Sequence, residues 1–335
     1  MTPGVRNRIC GEISSLIRKN KKFFLSGHSK PDGDTVASEL AMASLLKRLN
    51  KSASVYNAEP VPSNLLFLPG VEKIKTAAKV SGKYDVAIIF ECSDADRMGN
   101  IIDLEKQAKT VINIDHHLMH AYFGDVNLIN PHASSNSEQL YYIFQKMHMP
   151  LTKEEAAYLY VGIMTDTGRF QHSNTNAETL KIASKLLERG VDASLLCERI
   201  YGTTKFSSLK LISRALSNLA VTPDGKIAYS YIRRRDFEKS KAVEEESEEI
   251  VNYGLQIPSA LMSILFRESI SNGKVKISFR SRRDVNVCKL AEEFGGGGHK
   301  YASGCRIEGD MKKISAKVMK SAKLLLRDTV AAIKV

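Results

Sequence analysis

The sequence predicts an α/β fold: an N-terminal, mostly parallel-sheet domain with a helical segment, connected by helices to a smaller α+β C-terminal domain. Three observations carry this. Short apolar runs rich in β-branched and aromatic residues, clearest at 84–90, alternate with stretches of helical periodicity, as in a parallel sheet covered by helices. Beyond Val221 the texture changes, with strands expected near 227–232, 259–267 and 274–281 and helices near 244–253, 286–294 and 311–329. The charge is also unevenly placed. Residues 1–202 hold 24 Lys and Arg against 22 Asp and Glu, whereas 203–335 hold 25 against 15, so +10 of the net +12 belongs to the C-terminal part. The expected division is a first domain over 1–200, a helical linker over 201–222 and a second domain over 223–335.

In chain order, 22–27 reads as a buried strand and 35–49 as a helix with Val36, Leu40, Ala43, Leu46 and Leu49 at helical spacing. Between them His28-Ser29-Lys30-Pro31-Asp32-Gly33-Asp34 is a tight loop, because Pro31 and Gly33 favour turns. A strand–loop–helix junction can turn His28, Asp32 and Asp34 toward one point, although Asp34 could serve merely as an N-cap. Residues 52–56 form the next expected strand, and 84–90 the clearest. The latter ends in Glu91-Cys92-Ser93-Asp94-Ala95-Asp96-Arg97, acids at a strand tip. The strand at 110–114 ends in Asp115-His116-His117. In an open α/β sheet, ligands bind beyond the strand C-termini, and Asp and His are common ligands for divalent cations.

After Asn130-Pro131 helices take over. Ser135-Asn136-Ser137-Glu138 reads as a capping box opening a helix through Met147. A second helix over 152–164 runs into Thr165-Asp166-Thr167-Gly168, where an acid at a helix C-terminus is electrostatically disfavoured and suggests a nearby cation. Helices near 177–189 and 205–220 lead to the basic part, whose positive field attracts phosphates or nucleic acid. There Arg280 and Arg282 are expected on one face of a strand end. Gly295-Gly296-Gly297-Gly298-His299 would let backbone N–H groups approach an anion.

The 335 residues are 43% hydrophobic and 26% charged, as in globular proteins. No apolar run approaches the ~20 residues that span a bilayer, and residues 1–20 lack a signal-peptide core. A cytoplasmic location and no membrane partner are therefore expected. Cys10, Cys92, Cys197, Cys288 and Cys305 are scattered, which favours reduced thiols over disulfides or a thiolate zinc site.

Taken together and in this order, His28, Asp32, Asp34, Glu91, Asp115-His116-His117, Asp166 and the run from Gly295 through His299 to Ala302-Ser303-Gly304 resemble the DHH phosphoesterase superfamily. Within it the chain is similar to the nano-RNases that also act as 3′-phosphoadenosine-5′-phosphate (pAp) phosphatases. The resemblance runs from about residue 23 to the last helix and implies a two-manganese site, with Mg or Co as possible replacements. His28 and Asp32 would hold one metal and Asp34, His116 and Asp166 the other, with Glu91 bridging. Asp115 would orient a neighbouring histidine, and His117 would face the substrate phosphate. The C-terminal domain would close over the substrate. Arg280, Ser281, Gly296, Gly297, Gly298 and His299 would grip its phosphate, with Ser303 and Gly304 shaping the loop. Implied partners are short RNA oligonucleotides and pAp-like nucleotides, and a homodimer is left open. The family usually has Asp at the bridging position, so Glu91 puts metal preference in question more than reaction class.

Rival readings are an inorganic pyrophosphatase, a RecJ-like single-strand exonuclease, a phosphodiesterase for linear or cyclic dinucleotides, and a catalytically inactive nucleotide-binding module. Few aromatic side chains of the basic part look free to stack bases, so turnover is expected to be fastest on about two to five nucleotides.

Overall fold

The computed structural model describes residues 1–117, 121–202, 204–270, 273–282 and 285–333. The chain divides into two compact units, Met1–Thr203 and Thr204–Val335. Among the described residues no helix is long and apolar enough to cross a membrane.

Unit 1 contains α1 (Pro3–Lys19), β1 (Lys22–Ser26), α2 (Gly33–Arg48), β2 (Ser52–Asn57), β3 (Ile74–Thr76), β4 (Tyr84–Phe90), α3 (Leu104–Gln107), β5 (Ala108–Asp115), β6 (Val126–Ile129), α4 (Asn136–Lys146), α5 (Lys153–Asp166), α6 (Ala177–Leu187) and α7 (Ala193–Tyr201). Its sheet has the order β3-β2-β1-β4-β5-β6, and every pairing is parallel. Alternation along the strands divides the core. Phe23, Leu25, Val86, Ile88, Ile112 and Ile114 join one cluster, while Phe24, Ala87, Ile89 and Val111 join another, as the two-residue period of a strand requires.

Helix starts follow local chemistry. Thr152 and Glu155 form a reciprocal capping box on α5. On α4 only half the expected box forms. Ser135 Oγ accepts from the Glu138 N–H, but the Glu138 carboxylate instead accepts from Ser134 and from Thr179 of α6. Tertiary partners within reach have taken the acid away from its own helix end.

Unit 2 contains α8 (Phe206–Ser217), β7 (Ala220–Val221), β8 (Ile227–Ile232), α9 (Arg234–Ser240), β9 (Met262–Glu268), β10 (Lys274–Ser281), α10 (Val287–Glu293), β11 (Gly297–His299), β12 (Ala302–Glu308) and α11 (Met311–Ile333). The mixed sheet runs β11-β12-β10-β9-β8-β7, with only β8 and β9 paired in parallel. Helix α8, within the stretch expected as a linker, buries Leu211 and Ala215 against Ile232, Phe237 and Leu265. The acidic stretch expected as an α-helix is a 3-10 segment, Glu244–Gln256. Buried Arg267 donates to the Glu244 carbonyl at 3.0 Å and to Glu248 Oε1 at 3.1 Å, pinning this segment from the sheet.

Candidate functional site

The strand order reverses at β1, which pairs with β2 on one side and β4 on the other. Loops leaving the C-termini of adjacent strands there diverge and open a crevice, the usual ligand position in such sheets. His28 follows β1, Glu91 follows β4, and His116 follows β5, so neighbouring parallel strands deliver all three residues to one sheet edge. Asp34 lies in the first turn of α2, and Asp166 is the last residue of α5.

Two triads result, His28–Asp32–Glu91 and Asp34–Glu91–His116, each with ligand atoms within 4.8 Å of one another. Glu91 belongs to both. Its Oε1 lies 3.0 Å from His116 Nε2 and its Oε2 lies 4.0 Å from His28 Nε2. His28 Nε2 is 3.6 Å from Asp32 Oδ2, and His116 Nε2 is 3.5 Å from Asp166 Oδ2. Glu91 itself turns out of strand geometry, at φ +58°, a left-handed conformation that costs an ordinary residue roughly 1–2 kcal/mol. The turned residue places its longer side chain between the two histidines. Despite its short distance to His116, buried Glu91 Oε1 accepts no hydrogen bond from the described residues, nor does Asp115 Oδ2. An orphaned buried carboxylate oxygen among imidazole nitrogens fits a hard divalent cation.

Electrostatics agree. Burial, then the charges of Asp34, Asp32 and Asp166, push the Glu91 carboxyl far above its ordinary range. Burial and then the Asp34 charge raise Asp166 to about 7. Four carboxyls this close cannot all ionise without cationic compensation. Burial also opposes ionisation of Asp32, but hydrogen bonds from His28 and Thr35 outweigh it and lower that group. Asp115 is similar, its desolvation outweighed by His117. Asp115 Oδ1 contacts His117 Nδ1 at 2.6 Å and accepts the N–H groups of His116 and His117 at 2.8 and 3.2 Å. The histidine whose ring it orients is thus His117.

Several supporting residues carry no readable signal in the sequence. The N–H groups of Asn136 and Ser137, opening α4, donate to Asp34 Oδ2 and Oδ1 at 2.5 and 3.0 Å. A motif read only as a helix start therefore also holds a site carboxylate. Helix α5 comes so near that a Cβ on Gly162 would lie 2.3 Å from Asp34 Oδ1 and 1.9 Å from Ser137 Oγ. Asn174 Nδ2 donates to the Asp166 carbonyl at 3.2 Å and its Oδ2 at 3.5 Å. Behind the His28 loop, fully buried Glu39 accepts from Asn57 Nδ2 at 3.0 Å, while Asn57 Oδ1 accepts from the Gly27 N–H at 3.3 Å. Burial raises Glu39 to about 8.

The expected phosphate-gripping residues lie on unit 2, around the β11–β12 end of its sheet. Arg280 is half-buried on β10, with Nη1 3.1 Å from its neighbour's carbonyl. Arg282 follows β10, and the side chain of His299 lies outside the described residues. Ser281 Oγ donates to the Val285 carbonyl and Ser303 Oγ to the Val287 carbonyl, at 2.7 and 2.6 Å. These hydroxyls shape backbone. Of the glycine run, expected as a loop, Gly297 and Gly298 enter the edge strand β11 paired with β12, while Gly295 and Gly296 close the turn after α10. Close approach to β12 explains two glycines. A Cβ on Gly296 would fall 2.2 Å from the Gly304 carbonyl oxygen, and Gly298 has φ +141° with the Ala302 oxygen 2.7 Å away. A Cβ on Gly297 would meet nothing within 4 Å.

Residues 22–163 match the DHH family, N-terminal domain, and residues 224–324 match the DHHA1 domain. The chain is 28% identical over 302 residues to the bifunctional oligoribonuclease and PAP phosphatase NrnA of Thermus thermophilus, covering 90% of this chain and 89% of that one. It is 27% identical over 299 residues to the Bacillus subtilis protein of the same name, covering 88% and 92%. A crystal structure of an exopolyphosphatase-related protein from Bacteroides fragilis superposes with a TM-score of 0.85, at 28% identity and 98% coverage of each chain.

Proposed function

The chain carries a DHH family, N-terminal domain and a DHHA1 domain, and from that premise we propose that it is a two-metal phosphoesterase hydrolysing short oligoribonucleotides to mononucleotides and pAp to AMP. The observation that carries the reading is Glu91, shared by two ligand triads and keeping a buried oxygen without a hydrogen-bond partner among the described residues. The likeness to two bifunctional oligoribonuclease and PAP phosphatase relatives over most of both chains supports the substrate class.

In this reading His28, Asp32 and Glu91 would hold one cation, and Asp34, Glu91, His116 and Asp166 would hold the other. The donor set, carboxylates with two imidazoles, suits manganese or magnesium. Divalent cations bound there supply an acidified water and charge neutralisation at phosphorus. The chain's own groups do the rest. The N–H groups of Asn136 and Ser137 fix the Asp34 carboxylate, and Asn174 restrains Asp166. Asp115 holds the Nδ1 side of His117, leaving Nε2 to meet a substrate phosphoryl oxygen and, when protonated, to donate to it. Arg280 supplies a charge-assisted contact to a second phosphate. Gly296, Gly297, Gly298 and His299 would offer backbone N–H groups to the same phosphate, while Ser281 and Ser303 hold the chain around Val285 and Val287.

A substrate panel of pAp, pApA, cyclic dinucleotides, pyrophosphate and longer oligonucleotides tests the proposal, assayed with Mn²⁺ and with chelator. Rapid metal-dependent release of mononucleotide from pApA and of phosphate from pAp is the expected result. Activity on pyrophosphate alone, or activity unaffected by chelator, would overturn it. A length ladder at fixed salt should show rates falling beyond about five nucleotides, with released intermediates.

A further inference from the structure

Helix α11 is the last described element and carries a charge pattern that the proposed catalysis does not use. One face is core. Met311, Ile314, Val318, Ala322 and Leu326 are buried in the main apolar cluster of unit 2. The other face carries Lys312, Lys313, Lys317, Lys320, Lys323 and Arg327, all exposed. At 100° per residue these six side chains fall within an arc of about 140°, interrupted only by Ala316 and Leu324. No Asp or Glu occurs from 311 to 327. None of the six cations takes part in a side-chain ion pair among the described residues. Two nearby acids have other partners. Asp310 accepts the Lys313 backbone N–H at 2.9 Å, and Glu293 of α10 accepts from Ser321 Oγ at 2.7 Å.

We propose that this face of α11 is a docking surface for the phosphodiester backbone of a single-stranded RNA longer than the substrate, held independently of hydrolysis. The proposal rests on the reading of the chain as an RNA-handling enzyme, and charge complementarity commits it to this occupant. From Lys312 to Arg327 the helix rises about 22 Å, one positive charge per ~4 Å. A single strand carries one negative charge per nucleotide, so a row of six cations over that length can meet several consecutive phosphates. Lysines on flexible stems contact phosphates without reading sequence. A membrane surface fits poorly, because an amphipathic helix binds lipid with its apolar face and here that face is committed to the core. The surface adds affinity for a polyanion without adding a stacking platform, so it holds RNA without tracking it.

The test is fluorescence anisotropy of the full chain with a labelled 20-nucleotide 2′-O-methyl oligouridylate, in chelator, across a salt series. Against wild type stand Lys317→Glu/Lys320→Glu/Lys323→Glu, the same three positions changed to Gln, and a control with equal charge change on unit 1, Lys181→Glu/Lys185→Glu/Arg189→Glu. The first variant should bind at least about tenfold more weakly at low salt. Its salt slope should be shallower by about 2, since each lost phosphate contact removes roughly 0.7. The Gln variant should shift the same way by less, the control should bind nearly as wild type, and hydrolysis of pApA should be unchanged in all three. Equal weakening by the control would reduce the effect to net charge and overturn the proposal. So would unchanged binding in the Glu variant, or stripe-dependent binding of phosphatidylserine vesicles without binding of RNA. Because binding is read in chelator, failure to hydrolyse pApA would sink the proposed activity and leave this result standing.

Discussion

The two sheets treat their functional side chains differently. In unit 1 every strand pairing is parallel, so all strand C-termini share one edge, and His28, Glu91 and His116 arrive together from β1, β4 and β5. In unit 2 the strands mostly alternate in direction. Of its expected binding residues, Ser281 and Ser303 spend their hydroxyls on backbone carbonyls, and Gly296 and Gly298 are required by the β11–β12 approach. Parallel topology converts scattered motifs into one site. Mixed topology can give the same residue types a structural reason to exist.

The largest effect expected from this contrast lies at the parallel sheet edge. Asp34→Ala or His116→Ala should lower hydrolysis of pApA by at least about a thousandfold, because on the proposed reading each removes a carboxylate or imidazole that would hold a cation. Initial rates with saturating Mn²⁺ decide it, and full activity in either variant would break the assignment. Glu91→Asp should keep appreciable activity, with a changed Mn²⁺ requirement read by metal titration.

Next in size is a residue that touches no substrate. Gly162→Ala drives a methyl into Asp34 Oδ1 and Ser137 Oγ. Displacing a site carboxylate by about 1 Å should cost about 100-fold in rate and lower the melting temperature through overpacking. Unchanged rate and stability would show that α5 can recede at no cost to the site.

Two substitutions on unit 2 then separate grip from scaffold. Arg280→Ala should raise KM for nucleotide substrates about tenfold or more, the loss of a charge-assisted contact of about 1.5–3 kcal/mol. A small chromogenic phosphodiester without a second phosphate should be spared. Gly297→Ala meets no atom, so it should leave the melting temperature unchanged and raise KM only if phosphate lies against that backbone. Equal KM in the Gly297 variant would leave the glycine run with a purely structural role.

The smallest effect concerns Glu39. Its ordinary value of 4.5 rises to about 8 through burial, so the folded chain binds a proton that the unfolded chain releases. The associated stability is fully present below about pH 4.5 and is lost as pH rises through about 8. Glu39→Gln keeps an acceptor for Asn57 and removes the titration. Melting in chelator from pH 5 to 8 should show the variant gaining a few degrees on wild type toward the alkaline end. Parallel curves would mean that Glu39 does not titrate in this window.

The sequence alone determined the α/β class and the strands read at 22–27 and 84–90, the first of which ends one residue earlier in the structure. It also contained His28, Asp32, Asp34, Glu91, His116 and Asp166, because strand-tip motifs are local and apolar periodicity reports which face is buried. Tertiary structure decided what depended on partners distant in sequence. The α4 N-terminus holds Asp34 across about a hundred residues, Glu138 serves Ser134 and Thr179 rather than its own cap, and Gly297 and Gly298 enter an edge strand because β12 lies beside them. Glu39 lies on a helix whose periodicity reads as ordinary; only the packing of β1 and β2 makes it a buried carboxyl. Local propensity fixes where a chain turns and coils, whereas the partner of a buried hydrogen-bonding group is set by whichever groups the packed core brings within about 3 Å.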